Sequence, residues 1–304
     1  MRQFAALAAL ATTGAVLGAD RMSATEKGSL LIYSGAEGTI HISNDYPADV
    51  RLQSYIVNDA CEYYDMAFSL TANQITAFET SDLAAPFGMS GAVSMYVWAV
   101  NADNAQIRWN HLSGGVIGSG AYASAAAMEG GNGDTVGVAG VINMDGSEYS
   151  SAFNGATYNF VASGDDLTIE LLDHDFADKN AADPNTKIVA EIWNSNEVKF
   201  SGTARCVSCI ESASLDSWSD SAVNFFRSSS LGTALGKARL STEANASCGS
   251  DENPSSERAF FASSGGNGSV AGTGERTATI TYELESEPEE AGKRVRKAFG
   301  LLRK

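Results

Sequence analysis

The feature that limits the fold most is a succession of short alternating or β-branched runs divided by turn chemistry. SLLIYS, GTIHISN, VRLQSYIV, MAFSLTA, ITAFETS, GAVSMYVWAV and AQIRWNHL follow one another, separated by clusters such as NDYPAD, NDACEYYD and NADN. Residues on a strand alternate between two faces, and Asn, Asp, Gly and Pro supply the backbone conformations that reverse the chain. Turns about every ten residues suit antiparallel pairing and leave no room for βαβ crossovers. The expected fold is all-β, an antiparallel immunoglobulin-like or jelly-roll β-sandwich.

The pattern resumes further on in TVGVAGVINM, ATYNFVA, DLTIELL, KIVAEIW and EVKFSG, and ends with TATITYELE. Between the halves, Ser119–Gly131 (SGAYASAAAMEGG) has helix-forming composition and a terminating glycine pair, so a short internal helix is expected there. The chain then divides into a first β lobe over 27–115 and a second β-rich lobe over 132–285, forming one large sandwich or two packed ones. With 304 residues, 44% hydrophobic and 19% charged, it has ample material for a core.

The first residues, MRQFAALAALATTGAVLGAD, combine an arginine, an apolar run too short to span a bilayer and a small-residue end. They read as a signal peptide over 1–19, which predicts export to the periplasm or the extracellular space. An exported chain with four cysteines, Cys61, Cys206, Cys209 and Cys248, is expected to carry two disulfides. Cys206 and Cys209 can bridge each other, leaving Cys61 to Cys248, or each can reach a distant partner. A thiol oxidoreductase would need a helix and a cation after this CxxC pair, and IESASLDSWSD offers neither. A zinc site would need a second ligand pair, and His41, His111 and His174 are scattered.

The formal charge of −17 argues against nucleic acid as a partner. Against that background the last residues, 286–304, form a basic tail with Lys293, Arg294, Arg296, Lys297, Arg303 and Lys304. Such a tail lies on the acidic body or contacts an anionic surface.

Two candidate sites follow from composition. Asp173, Asp175, Asp178, Asn180 and Asp183 crowd one loop with the oxygen ligands calcium prefers, although the spacing is not that of an EF-hand. Trp98 and Trp109, in runs read as neighbouring strands, are either core or a platform for stacking a sugar. Glu191 and Trp193 share one face of a strand, where neither requires a catalytic role.

The segments TIHISNDYPADVRLQSYIVN, SLTANQ, YVWAVNADNAQIRWNHLSG and WNSNEVKFSGTARCVSC resemble, in this order, a functionally uncharacterised family of secreted β-sandwich proteins of environmental bacteria. The resemblance covers about Lys27 to Cys248. It implies export and a β-sandwich and assigns no catalytic residue, cofactor or substrate. The expected function is that of a non-enzymatic surface or matrix protein that acts by binding or as structure, with a cell-surface or extracellular polysaccharide or protein as partner. The alternatives are a calcium-dependent carbohydrate-binding module and an exported thiol oxidoreductase working through the CxxC pair.

Overall fold

A computed structural model describes residues 27–264, with gaps at 129, 145, 150–154, 180, 182–183, 244–247 and 249–258, and also 269–272 and 279–280. The expected signal peptide, the basic tail, Asn180 and Asp183 lie outside the described residues.

The first half forms β1 (Leu30–Asn44), β2 (Val50–Val57), β3 (Tyr63–Leu70), β4 (Ile75–Glu79), one helical turn α1 (Thr80–Ala84), β5 (Val93–Val100) and β6 (Leu112–Ala125). The second half forms β7 (Val141–Ile142), β8 (Gly155–Val161), β9 (Asp166–Leu171), β10 (His174–Asp175), β11 (Asn185–Asn194), β12 (Lys199–Ser208) and β13 (Ile210–Ser214). After the turn α2 (Ser228–Leu231) come β14 (Leu235–Glu243), β15 (Phe260–Ser264), β16 (Ser269–Gly272) and β17 (Thr279–Ile280). Every strand pairing among the described residues is antiparallel, so the expected all-β fold is what the chain adopts.

SLLIYS and GTIHISN are one long strand with a bend. Gly35 takes φ 53°, and the register shifts between Ser34 and Glu37. Glycine reaches this left-handed conformation without steric cost, and a bulge here turns the strand. Before the bend β1 pairs with β5, after it with β4, and β6 follows it along both parts. The sheet therefore runs β17-β6-β1-β5-β2-β3, with β4 beside β1, and curls around Tyr33, Ile42, Leu52, Val97, Trp109 and Leu112. Leu30, Ile32, Tyr96 and Trp98 point to the opposite face and meet Met144, Leu172, Phe176 and Phe261 of the second lobe. All eight residues of β5 are buried as a result, which explains its nearly unbroken apolar run.

The second lobe is a sandwich. A five-stranded sheet, β12-β11-β14-β8-β16, faces a three-stranded one, β13-β9-β15, across Phe160, Ile169, Ile188, Ile192, Trp218 and Phe226. β17 belongs to the first sheet through its pairing with β6, so the chain returns to the first lobe near residue 280.

The expected helix at Ser119–Gly131 is a correction: the segment through Ala125 belongs to β6. Ala121, Ala123 and Ala125 sit buried on one face, and small side chains there let the second lobe approach closely. Alanine's helix preference is a few tenths of a kcal/mol per residue, less than is supplied together by the six register positions at which Ser119–Ala125 pairs with β1. TVGVAGVINM also departs from expectation. Gly137 and Gly140 have positive φ of 57° and 82°, and only the two residues of β7 pair as a strand.

Candidate functional site

The two lobes meet over a polar cluster inside an otherwise apolar seam. Glu170 on β9 is fully buried; its Oε2 accepts a hydrogen bond from Ser94 Oγ at 2.9 Å and its Oε1 one from Tyr96 Oη at 2.5 Å. Both hydroxyls come from β5, so the carboxyl pins the second lobe to the central strand of the first. Tyr96 Oη also lies 3.2 Å from His174 Nε2 on β10. Burial drives the Glu170 carboxyl above its ordinary range, while hydrogen bonds from Ser34, Tyr96 and Ser94 pull it down. Burial, then the Glu170 charge, raise the Tyr96 phenol well above its usual value, so it remains a donor.

From this cluster a stack of rings leads outward. His174 lies against Phe176 with centroids 5.0 Å apart, and Phe176 lies against Tyr55 at 4.3 Å, both nearly parallel. Tyr63 meets the edge of Phe176 at 5.0 Å. The stack borders a cleft of about 360 Å³ whose lining includes Tyr63, His174, Asp175, Phe176, Asp178 and Lys179. Its size falls in the range of small-molecule sites. The Tyr63 hydroxyl is buried with no hydrogen-bond partner among the described residues. Burial raises its pKa, and the charges of Asp175 and Asp178 raise it further.

One wall of the cleft is covalent. Cys61, in the β2–β3 turn, is bonded to Cys209 between β12 and β13, with Cα atoms 5.9 Å apart. Cys206 is bonded to Cys248. The structure thus selects the pairing in which Cys206 and Cys209 each reach a distant partner. Cys206 lies within β12 and Cys209 just after it, and both Cys61 and Cys209 have positive φ, 62° and 55°.

The calcium loop is only partly assembled. Asp173 Oδ1 accepts from Met144 N at 3.0 Å and its Oδ2 from Ala259 N at 2.8 Å, so both oxygens hold neighbouring backbone. Asp175 Oδ1 accepts from the N–H groups of Ala177 and Asp178, fixing a turn at the cleft rim. Among the described residues no group of three or more acidic, His or Cys side chains is placed to hold a metal.

The tryptophan platform is a correction. Trp98 is 1% exposed and lies nearly parallel to Tyr55, its centroid 5.3 Å away. Trp109 is 8% exposed, lies in the β5–β6 connection instead of a strand, and donates from Nε1 to Asn44 Oδ1. Both are core: Trp98 lies on the face of β5 that meets the second lobe, and Trp109 packs from the β5–β6 connection into the core that the first sheet encloses. Trp193 is half-buried on the outer face of β11, with Lys199 Nζ 5.3 Å above its ring.

Sequence reasoning passed over Ser94, Tyr96, Glu170 and Tyr63. Each stands alone in a strand-like run, and their meeting depends on how the lobes dock. The one available signal was Glu170, a charged residue set among the apolar residues of DLTIELL.

No protein-family model and no curated protein matches the chain. Among solved structures, PNGase F, a glycosylasparaginase from Flavobacterium meningosepticum, aligns over 86% of this chain and 90% of its own length at 9% identity. Its TM-score of 0.18 is too low to bear on fold or function.

Proposed function

We propose that the protein is exported and works in the periplasm or outside the cell as a non-enzymatic surface or matrix protein that binds through the seam cleft. The observation that carries this reading is the Tyr63 hydroxyl, buried without a partner among the described residues beside a cleft whose wall is the Cys61–Cys209 bridge. An unsatisfied buried hydroxyl costs about 1–3 kcal/mol, and a ligand that bonds it recovers that cost. The disulfide and the Glu170 pin hold the walls still, so little ordering is needed on binding. The two bridges support an oxidising compartment.

A panel of small saccharides and amino acids at millimolar concentration, read by melting temperature, tests this. At least one member is expected to raise the melting temperature by mass action, and Tyr63→Phe to abolish that rise while leaving the free protein as stable or slightly more so. A rise that survives Tyr63→Phe, or none across the panel, contradicts the cleft as the ligand seat.

The calcium-dependent reading retains one supporting observation, the placement of Asp175 and Asp178 at the rim of the same cleft. It predicts a melting temperature that rises in millimolar calcium and returns with a chelator. The oxidoreductase reading loses support because Cys206 and Cys209 are engaged in two different bridges.

A further inference from the structure

The outer face of the five-stranded sheet is a cationic surface with one aromatic ring on an acidic protein. Ladder positions place Lys199, Trp193, Lys237 and Asn159 in one line across β12, β11, β14 and β8. Three interstrand steps of ~4.8 Å make this row about 14 Å long. One step along the same face Glu191 stands opposite Arg239, and near the far end Lys187 stands opposite Glu243. On the other side Leu235 and Val161 form an exposed apolar pair, 57% and 37% accessible. The β11–β14 ladder runs from Lys187 to Asn194 without a register shift, and the β11–β12 ladder shifts between Ala190 and Ile192, before the Trp193–Lys199 pair.

Its charge is opposite in sign to that of the molecule. The outward positions of β11, β12 and β14 carry four cations, Lys187, Lys199, Lys237 and Arg239, against Glu191 and Glu243, whereas the whole chain has a formal charge of −17. Glu191 is shared between Lys199 and Arg239, and Glu243 holds Lys187. Lys237 is exposed and has no ion pair among the described residues. Glu191 therefore orients two cations around Trp193 without cancelling them, and Lys237 completes the ring on its other side.

We propose that this face binds an acidic polysaccharide. One pyranose ring would take the place of Lys199 Nζ over Trp193, whose aromatic face suits the apolar face of a sugar, as that lysine turns to the ligand's anionic group. Carboxylate or sulfate groups on neighbouring sugars would reach Lys199, Lys237 and Arg239, with Asn159 bonding a hydroxyl. A row running across four strands suits an extended chain better than a compact ligand. The negative charge of the body disfavours polyanions over the rest of its surface, the basic C-terminal residues excepted. The proposal rests on the export reading, since such glycans lie outside the cytoplasm, and uses no residue of the seam cleft.

Affinity electrophoresis of the full chain in native gels containing polygalacturonate, with dextran as the neutral control, tests it. Retardation is expected in polygalacturonate alone, and it should disappear in 0.5 M salt, as screening of exposed charges demands. Trp193→Ala and Lys237→Glu should each weaken it at least ~10-fold while unfolding as wild type does; Lys237→Glu alters one exposed side chain and serves if Trp193→Ala misfolds. Retardation unchanged in both variants overturns the proposal and points to the basic C-terminal residues. Equal retardation by poly-glutamate overturns it in favour of an acidic polypeptide. No retardation overturns it outright. A failure of export would appear separately, as free thiols in the purified protein, and a failure of the cleft reading as an unchanged Tyr63→Phe.

Discussion

At the scale of single residues the decisive group is Glu170. An isolated carboxylate in an apolar seam is costly, and this one is tolerated because serine and tyrosine hydroxyls from the other lobe aim at it. Its folded-state pKa lies above that of the unfolded chain, because burial outweighs the hydrogen bonds. The group therefore favours the fold while protonated, and that contribution is lost as pH rises through the folded value. Glu170→Gln is expected to raise the melting temperature relative to wild type at pH 7–8, with the difference shrinking toward pH 4; parallel curves would contradict this. Tyr96→Phe has the opposite sign. It removes a donor to the ionised carboxylate and should cost about 2 kcal/mol near neutral pH and less in acid, measured by denaturant unfolding. None of this was legible in the sequence beyond a charged residue in a strand-like run, because the donors are some seventy residues distant and arrive only by docking.

At the scale of elements, the strand runs were legible and their exceptions are informative. VRLQSYIV, GAVSMYVWAV, KIVAEIW and EVKFSG are strands because β-branched and aromatic side chains fit a pleated, half-buried surface. SGAYASAAAMEGG misleads because alanine favours helices in isolation, whereas here small size is what the lobe interface requires. Gly118 and Gly120 hold β6 against the bend of β1 at φ 138° and 113°, and a Cβ at Gly118 would overlap the Glu37 carbonyl oxygen. Gly118→Ala is accordingly expected to destabilise by about 2 kcal/mol or more, through both backbone strain and that clash. Urea unfolding measures it, and a change below about 0.5 kcal/mol would show that the bend accommodates a side chain. The acidic loop shows the converse limit. Its composition suggested ligands, but Asp173 spends both oxygens on backbone N–H groups, a use that spacing alone does not reveal.

At the scale of the whole molecule, the architecture is a curled sheet and a sandwich locked along one seam. That cysteines would staple the chain followed from their number and the expected export; which cysteines pair did not, since four allow three connectivities. The Cys61–Cys209 bridge spans 148 residues and Cys206–Cys248 spans 42. Chain entropy assigns closed loops of these lengths about 5 and about 4 kcal/mol. Replacing Cys61 and Cys209 together by serine should therefore lower stability by several kcal/mol and, by loosening the wall of the cleft, weaken any ligand bound there. The pairing itself is open to a direct test, because Arg51, Arg205 and Arg239 place Cys61, the Cys206/Cys209 pair and Cys248 on three different tryptic peptides. Non-reducing peptide mapping by mass spectrometry, with fragmentation to separate Cys206 from Cys209, should yield a single species of those three peptides joined by Cys61–Cys209 and Cys206–Cys248. A Cys206–Cys209 loop accompanied by a two-peptide Cys61–Cys248 species, or free thiols in the native protein, would contradict the covalently locked seam.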